Sequence, residues 1–246
     1  MDKVTNKAIS QSHVLGILPA RMTSRRLQHK LLIKLDGISI IRRTTLQALQ
    51  CAQLHQVVVA SDHQQILDEV ADLPCQRLLI RDDVLNGTER CAIASKHFSD
   101  ISHVVNIQAE QPYIEPNIID RLAMVMASED DKCIYTLCRD MPCNDVSTEV
   151  VKVTTDQNKY ARSFTRELPD SALSYEHIGV YGYSAPLLQT LAHLSPTPSE
   201  QEQKLEQLRW MDHDYPIHVI VVSTRSISID SNSDLHRAQL KTRAGI

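Results

Sequence analysis

The sequence predicts an α/β fold in which a mixed, mostly parallel sheet is flanked by helices. Short apolar runs alternate with helical patterns through the first half of the chain, as in proteins built from βαβ units. Of the 246 residues 42% are hydrophobic but only 4% aromatic, so Val, Leu and Ile must fill the core. Such a composition is typical of parallel strands buried on both faces. The length suits one large domain.

The first half contains four predicted strands, each followed by a predicted helix. This order favours right-handed crossovers and parallel pairing. One predicted helix begins with a proline, where the missing N–H is harmless. The strands are Val14–Leu18, Gln56–Ala60, Arg77–Ile80 and His103–Ile107, and the helices are Ser39–Ala52, His63–Leu73, Thr88–Phe98 and Pro116–Ala127.

After Asp130 the predicted strands follow one another closely, which favours antiparallel pairing and an elaboration on the parallel sheet. Among the later helices, the second begins with acidic residues near its positive end, and we expect Ser233 to cap the last. The strands are Cys133–Cys138, Val150–Thr154, Lys159–Phe164, Ile178–Tyr183, Ile217–Val222 and Ile227–Ile229, and the helices are Ala185–Leu194, Ser199–Met211 and Ser233–Arg243. We expect residues 1–13 to form a flexible tail and residues 14–246 a single domain.

The first strand leads into a loop that is rich in cations. From Lys3 to Lys34 the sequence has seven Lys or Arg residues and no Asp or Glu, although the formal net charge of the chain is -4. In an α/β sheet this loop lies at the carboxyl edge, where ligands bind, and Arg and Lys there neutralise phosphate oxygens. A solvated basic loop without a ligand is the alternative interpretation. Because the whole chain is mildly acidic, the loop indicates a small anion and not nucleic acid.

Composition also excludes several classes of protein. With only six glycines, the chain cannot assemble the Gly-rich motif of a Rossmann dehydrogenase or a Walker A P-loop. Six cysteines without a C-x-x-C pair indicate buried thiols in a reducing cytoplasm and no metal cluster. No apolar run approaches the length of a membrane span, and the polar first residues lack the apolar stretch of a secretory signal.

Two acidic residues follow predicted strands. Glu110 comes shortly after His103–Ile107 and has the same parity as Gln108, and Asp230 ends the last predicted strand. Two carboxylates at the carboxyl edge of one sheet can hold Mg²⁺ together with substrate phosphates and water. For each acid alone, a helix-capping or turn role is the alternative. A basic loop with two such acids is typical of metal-assisted phosphoryl or nucleotidyl transfer.

Seven short segments carry a more specific resemblance. They are Leu18–Lys30, Val59–Asp62, Asn86–Arg90, Asn106–Pro112, Val151–Val153, His177–Tyr183 and Lys204–Arg209. In this order they resemble the motifs of the 3-deoxy-manno-octulosonate (Kdo) cytidylyltransferases, and the similarity runs from about Val14 to Arg243. The resemblance implies a GT-A-like nucleotide-diphospho-sugar transferase fold with an antiparallel dimerisation elaboration, so residues 14–246 would be a nucleotidyltransferase domain that forms a homodimer.

The same resemblance implies a reaction in which CTP and Kdo, or a modified or amino Kdo, give the CMP-sugar and pyrophosphate for lipopolysaccharide or related surface-glycan synthesis. Glu110 and Asp230 would carry Mg²⁺. Together with Arg21, Arg26 and Lys30, which would hold the triphosphate, they form the implied catalytic set. The implied nucleotide site adds Ala20, Ser24, Arg81, Asn86, Gly87, Thr88 and Gln108. The implied sugar site consists of Gln108, Arg166, His177, Tyr183, Glu206 and Gln207, with Arg166 on the substrate carboxylate.

The sequence departs from the family pattern at three places, one of which is the short segment Glu167-Leu168-Pro169-Asp170 after Arg166. The usual Gly-Asp after Gln108 is Ala109-Glu110, and the usual Pro-Gly before Lys30 is Gln28-His29. These changes leave three alternatives open besides a Kdo enzyme. They are an enzyme for a modified sugar acid, a non-catalytic or weakly active nucleotide- or sugar-binding paralogue, and a related pyrophosphorylase that uses another nucleotide.

Overall fold

The computed structural model describes residues 13–24, 26–141, 148, 150–167, 173–224 and 226–243. Except for residue 13, the predicted flexible tail lies outside this range. The strands are β1 (Val14–Ala20), β2 (Lys34–Leu35), β3 (Ile38–Ser39), β4 (Gln56–Ser61), β5 (Gln76–Leu79), β6 (His103–Ile107), β7 (Ile134–Asp140), β8 (Lys152–Thr155), β9 (Ala161–Thr165), β10 (Ser174–Ser184) and β11 (Ile217–Val221).

The helices cover both faces of the sheet and follow the predicted order. They are α1 (Ile40–Ala48), α2 (Gln64–Asp68), α3 (Gly87–Ser95), α4 (Pro116–Ser128), α5 (Ala185–Leu191), α6 (Pro198–Gln203), α7 (Gln207–Asp212) and α8 (Asn232–Arg243). A turn of 3-10 helix, Lys30–Leu32, follows the basic loop, and β2 and β3 form a small separate hairpin.

The parallel half of the sheet is centred on β1. Strand β1 pairs in parallel with β4 on one side and β6 on the other, and β4 pairs in parallel with β5. All seven residues of β1 are buried, with Val14 and Leu18 in one core cluster and Leu15 and Ile17 in the other. Because β1 and β6 run in the same direction, the basic loop and the segment after Ile107 leave the sheet at the same edge. The predicted α/β architecture is therefore confirmed.

The second half of the sheet is mixed. The long strand β10 pairs antiparallel with β6, β7 and β8, and β9 extends the sheet beyond β8. Strand β11 pairs in parallel with β7. The predicted antiparallel elaboration is thus present among the described residues, and β10 joins it to the parallel half.

Three sequence predictions about local structure are wrong. Ile227–Ile229 does not form a strand: within the described residues its backbone hydrogen bond runs from Ile229 N to Glu110 O at 3.0 Å, in the turn after β6, and makes no ladder. The predicted helix Ser199–Met211 is two helices, because Lys204 adopts a left-handed backbone with φ of 55° and ends α6. Helix α8 begins before Ser233, at Asn232, where Ser231 and Asp234 bond reciprocally across the first turn.

Candidate active site

Two adjoining cavities open at the carboxyl edge of the sheet. The larger, of about 1180 Å³, is the loop cavity, lined by the end of β1, the basic loop and the start of α3. The smaller, of about 340 Å³, is the strand cavity, lined by β7, β10 and the segment from Leu205 to Gln207. Six residues line both cavities and form the boundary between them. They are Arg26, Gln108, Glu110, Arg166, Glu206 and Asp230.

A compact group of four charges lies on this boundary. Lys30 Nζ is 2.8 Å from Glu110 Oε1 and 2.8 Å from Asp230 Oδ1. Arg26 Nη2 reaches the same oxygen of Asp230 at 3.1 Å. The two carboxylates, which are 120 positions apart in the chain, therefore have oxygens no farther apart than twice the Lys30 distance. The sequence predicted that the basic loop would meet Glu110 and Asp230. The structure confirms that Lys30 of this loop contacts both acids.

The opposite charges in this group favour the ionised forms of Lys30 and Asp230. Burial lowers the pKa of Lys30, but attraction to Glu110 and Asp230 outweighs burial, so the pKa of Lys30 is raised. Burial alone would raise the pKa of Asp230, yet Lys30 and Arg26 hold it below its usual value. With two cations and two anions, the group has a formal net charge of zero. It therefore offers no excess negative charge to a further cation.

The backbone of the basic loop is held in an unusual conformation at His29. This residue has φ of 51°, in the left-handed region that glycine adopts without steric cost. It occupies the position where the family pattern has Gly, the residue best suited to this conformation. His29 Nδ1 lies 3.1 Å from Met22 Sδ, and Met22 N donates to Asp62 Oδ1 at 2.8 Å. These contacts fix the loop from inside and leave Arg21 and Arg26 exposed.

The opposite wall of the loop cavity is the N-terminus of α3. Asn86 caps this helix, since its side-chain oxygen accepts a hydrogen bond from Glu89 N at 2.9 Å. A Cβ on Gly87 would lie 3.3 Å from Pro19 Cγ, so glycine lets the helix start close against the end of β1. The positive end of the α3 dipole therefore faces a cavity already rich in cations, an arrangement that favours an anionic ligand.

The strand cavity is built from polar groups held by neighbours. His177 Nε2 lies 3.0 Å from Thr136 Oγ1, and the His177 ring packs against Phe164 and Tyr181 with centroids 5.0 and 5.4 Å away. Burial lowers the pKa of His177 to about 3, so its imidazole is neutral at physiological pH. Burial also raises the pKa of Glu206 to about 7, although Thr88 and Arg209 oppose this shift.

A buried arginine positions the helix that carries Glu206 and Gln207. Arg209 is 3% exposed. Its Nε and Nη2 bond both oxygens of Glu200 at 2.7 and 2.8 Å, and its Nη1 donates to Leu194 O at 3.1 Å. A bidentate pair of this kind fixes orientation as well as charge. The break at Lys204 and the Arg209 pair together turn Glu206 and Gln207 towards the cavities.

Three of the site residues expected from the sequence line neither cavity. Tyr183 is fully buried, with its ring 5.8 Å from that of Trp210, and its hydroxyl accepts a hydrogen bond from Asn106 Nδ2 at 3.4 Å. Thr88 is 1% exposed and contacts the Glu206 side chain. Arg81 is exposed and lies outside the described lining of both cavities. The other expected residues line one cavity or both. They are Ala20, Arg21, Ser24, Arg26, Lys30, Asn86, Gly87, Gln108, Glu110, Arg166, His177, Glu206, Gln207 and Asp230.

Sequence reasoning missed an ion pair in the wall of the strand cavity. Arg139 and Glu176 face each other across β7 and β10, and Arg139 Nη2 lies 2.6 Å from Glu176 Oε1. Arg139 Nη1 also donates to Thr224 O at 3.2 Å. The signal available in the sequence was one charged residue of each sign beside two predicted strands, Arg139 after Cys133–Cys138 and Glu176 before Ile178–Tyr183. The pairing register of the strands, which the sequence does not reveal, was needed to interpret it.

The carboxylate pair is an incomplete metal site by itself. Within the part of the chain that the structure describes, no three His, Cys, Asp or Glu side chains are grouped so that they could hold a metal ion. Two carboxylates with hard oxygen donors nevertheless fit Mg²⁺, which binds through one or two carboxylates plus the phosphates of a substrate. The donor set therefore fits an ion that is completed by a polyphosphate. Across the described residues we find no helix with the length and apolarity needed to span a bilayer.

The chain is similar to known proteins in both sequence and structure. A family model described as Cytidylyltransferase matches residues 15–217. A 3-deoxy-manno-octulosonate cytidylyltransferase of Chlamydia caviae is 34% identical over 241 residues, covering 95% of each chain. That of Chloroherpeton thalassium is 32% identical and covers 91% of this chain and 95% of its own. Among solved structures, a CMP:2-keto-3-deoxy-manno-octonic acid synthetase complexed with CTP has a TM-score of 0.87 at 26% identity, covering 96% of this chain and all of that one.

Proposed function

The chain belongs to the cytidylyltransferase family, and we propose that it couples CTP to 3-deoxy-manno-octulosonate, releasing CMP-Kdo and pyrophosphate. The observation that carries the proposal is the boundary between the two cavities. There the basic loop meets Glu110 and Asp230 at hydrogen-bonding distance. A reaction between a polyphosphate and a second substrate needs such a meeting point of two pockets.

In this proposal the loop cavity takes CTP. Arg21, Arg26 and Lys30 hold the triphosphate, and Ser24 donates a hydrogen bond to it. The cations lower the cost of bringing a polyanion onto the protein, and they also stabilise the charge that grows on the departing pyrophosphate. Ala20, Asn86 and Gly87 lie along the cytidine, against the start of α3. Arg81 receives no role because it lies outside the described lining, and Thr88 acts through Glu206.

The strand cavity takes the sugar acid. Arg166 pairs with the substrate carboxylate, and its planar guanidinium suits a two-oxygen partner. Gln207 and Glu206 bond sugar hydroxyls, and neutral His177 offers a fixed hydrogen-bonding group without adding charge. Gln108 lies between the two substrates because it lines both cavities. Tyr183 supports Asn106 from the core and makes no contact with the sugar.

The reaction takes place at the boundary. The anomeric hydroxyl gives its proton to water, its oxygen forms a bond to the α-phosphorus, and the bond from that phosphorus to the bridging oxygen breaks, so that pyrophosphate leaves. Glu110 and Asp230 would hold Mg²⁺, which when bound neutralises charge on phosphate oxygens. Holding both reacting groups in line is the main contribution of the protein in transfers of this kind.

We also propose a cellular setting and an assembly. A CMP-activated Kdo is a donor for lipopolysaccharide or related surface-glycan synthesis. The five cysteines within the described residues are free thiols, which fits a reducing cytoplasm.

A homodimer, implied by the resemblance to the family, is a prediction that sedimentation velocity of the purified chain will check. A single species at the mass of the monomer would contradict it.

The direct test is pyrophosphate release from CTP and Mg²⁺ with a panel of ulosonic acids that includes Kdo and an amino-substituted Kdo. We expect release with CTP to exceed release with UTP or ATP. No release with any acid would refute the proposal. In that case, calorimetric binding of CTP without turnover would indicate a binding paralogue, whereas restored turnover in Glu110→Asp would indicate an impaired enzyme.

A further inference from the structure

We propose that Lys30 occupies the divalent-cation position in the nucleotide-free protein, so that the metal ion enters only together with the nucleotide. The inference rests on the proposed function, since it concerns the same carboxylate pair. It adds an order of binding and a second role for one side chain, as a positioning group that exchanges partners.

The geometry of the four-charge group supports this role. The ammonium of Lys30 lies 2.8 Å from an oxygen of each carboxylate, and its side chain is only 11% exposed. Mg²⁺ binds oxygen at about 2.0–2.1 Å, shorter than the contacts of the ammonium, so an ion held by both oxygens must take the place of the ammonium. Arg26 already contributes a second positive charge to Asp230 at 3.1 Å. A free divalent ion therefore meets a group that is neutral and already bridged.

The loop cavity offers Lys30 an alternative partner. Lys30 lines that cavity as well as contacting the carboxylates. Its backbone is fixed in the 3-10 turn Lys30–Leu32, but a lysine side chain has four flexible methylenes and can redirect its ammonium. Phosphate oxygens in the loop cavity compete for that ammonium. When they attract it, Glu110 and Asp230 are left unpaired and become available to the ion that accompanies the triphosphate.

This exchange couples the two ligands. A ligand that displaces Lys30 raises the affinity of the carboxylate pair for the metal ion, and by thermodynamic linkage the metal ion raises the affinity for that ligand by the same factor. The free protein is then expected to bind divalent ions weakly, even though it carries two carboxylates within bridging distance.

The test measures Mn²⁺ binding to the full chain by the loss of the free-ion electron paramagnetic resonance signal, without sugar acid and without turnover. We expect Lys30→Met to bind Mn²⁺ at least tenfold more tightly than the wild type in the absence of nucleotide. Lys30→Arg, which retains the charge, and Lys34→Met, which alters an exposed lysine nearby, should bind as weakly as the wild type. Lys30→Gln replaces Lys30→Met if the latter fails to fold.

A further variant identifies the site, and the outcomes are separable. Adding Glu110→Gln to Lys30→Met should abolish the gained affinity. Equal Mn²⁺ affinity in the wild type and Lys30→Met would overturn the inference, even if pyrophosphate release proceeds. Conversely, a tenfold gain in Lys30→Met with no release from any acid would support the exchange while refuting the proposed function.

Discussion

The loop cavity and the strand cavity are lined by different kinds of side chain. In the loop cavity the cations lie on a connection between elements, and Arg26 is 55% exposed. In the strand cavity, Arg139 and Glu176 pair across neighbouring strands, and the His177 ring is held between two aromatic side chains. One cavity presents adaptable charge, whereas the other presents polar groups whose positions are already fixed.

From this difference we expect the two cavities to contribute differently to nucleotide binding and to the choice of sugar. Charge on flexible side chains attracts a polyphosphate of any base, because electrostatic attraction is weakly directional. Fixed hydrogen-bonding groups discriminate among sugars, because a misplaced hydroxyl leaves a buried partner unsatisfied. Variants of the two cavities should therefore separate in kinetics, with CTP dependence altered on one side and sugar dependence on the other.

The largest effect on activity is expected at the boundary, where Glu110 and Asp230 line both cavities. Asp230→Asn or Glu110→Gln should lower kcat/KM for both substrates by about 10²–10³-fold, the scale seen when one preorganised charge-stabilising group is removed. Pyrophosphate release measures the loss. Asp68→Asn on the exposed face of α2 is the matched control and should remain fully active. A decrease of less than tenfold in both variants would place the chemistry away from this pair.

The next largest effect tests the loop cavity. Arg26→Ala should raise the KM for CTP by about 10- to 100-fold, because it removes a charge-assisted contact of about 1.5–3 kcal/mol. Lys30→Ala should raise it comparably. In contrast, Lys34→Ala, which removes an exposed lysine just beyond the loop, should leave CTP kinetics unchanged. Unaltered CTP kinetics in both loop variants would mean that the loop does not touch phosphate.

The strand cavity gives the converse result. Arg166→Ala should raise the KM for the sugar acid about tenfold while leaving the KM for CTP nearly constant, because one charge-assisted pair to the carboxylate is lost. Arg162→Ala provides the matched control on β9, the strand that ends just before Arg166; the Arg162 side chain is 68% exposed and pairs with Asp156. If Arg166→Ala changed CTP dependence more than sugar dependence, the two cavities would have to be reassigned.

The smallest effect concerns stability and pH. Burial lowers the pKa of His177 to about 3, whereas unfolded His titrates near 6.5, so the unfolded chain binds an extra proton between these values. The stability associated with neutral His177 is present above pH 6.5 and is lost as the pH falls towards 3. Between pH 8 and pH 5 the wild type should lose about 1–2 kcal/mol more than His177→Gln.

Urea unfolding at the two pH values measures this difference. Comparing the variant with the wild type at each pH cancels the contributions of other titrating groups, including Glu206, whose raised pKa acts in the opposite direction. A variant that loses as much stability as the wild type on acidification would show that His177 is not held neutral by the fold.

Much of the fold could be predicted because periodicity and composition report burial directly. The run that forms β1 is buried along its whole length, and its apolar residues alone indicate a central strand. The meeting of the basic loop with Glu110 could also be predicted, since the carboxyl ends of parallel strands share one edge. Asp230 joins them although the strand predicted before it does not form. The break at Lys204 could not be predicted, because the left-handed backbone of this lysine does not alter the helical spacing of apolar residues around it.

Residue type and residue order are enough to predict the α/β architecture, the family and the set of charges offered to a polyphosphate. Only the tertiary structure decided which cation lies on which carboxylate, that Arg139 opposes Glu176 and that Tyr183 belongs to the core. Those contacts join positions as far apart as Lys30 and Asp230. Strand register and side-chain packing fix such distances, and neither is a local property of the chain.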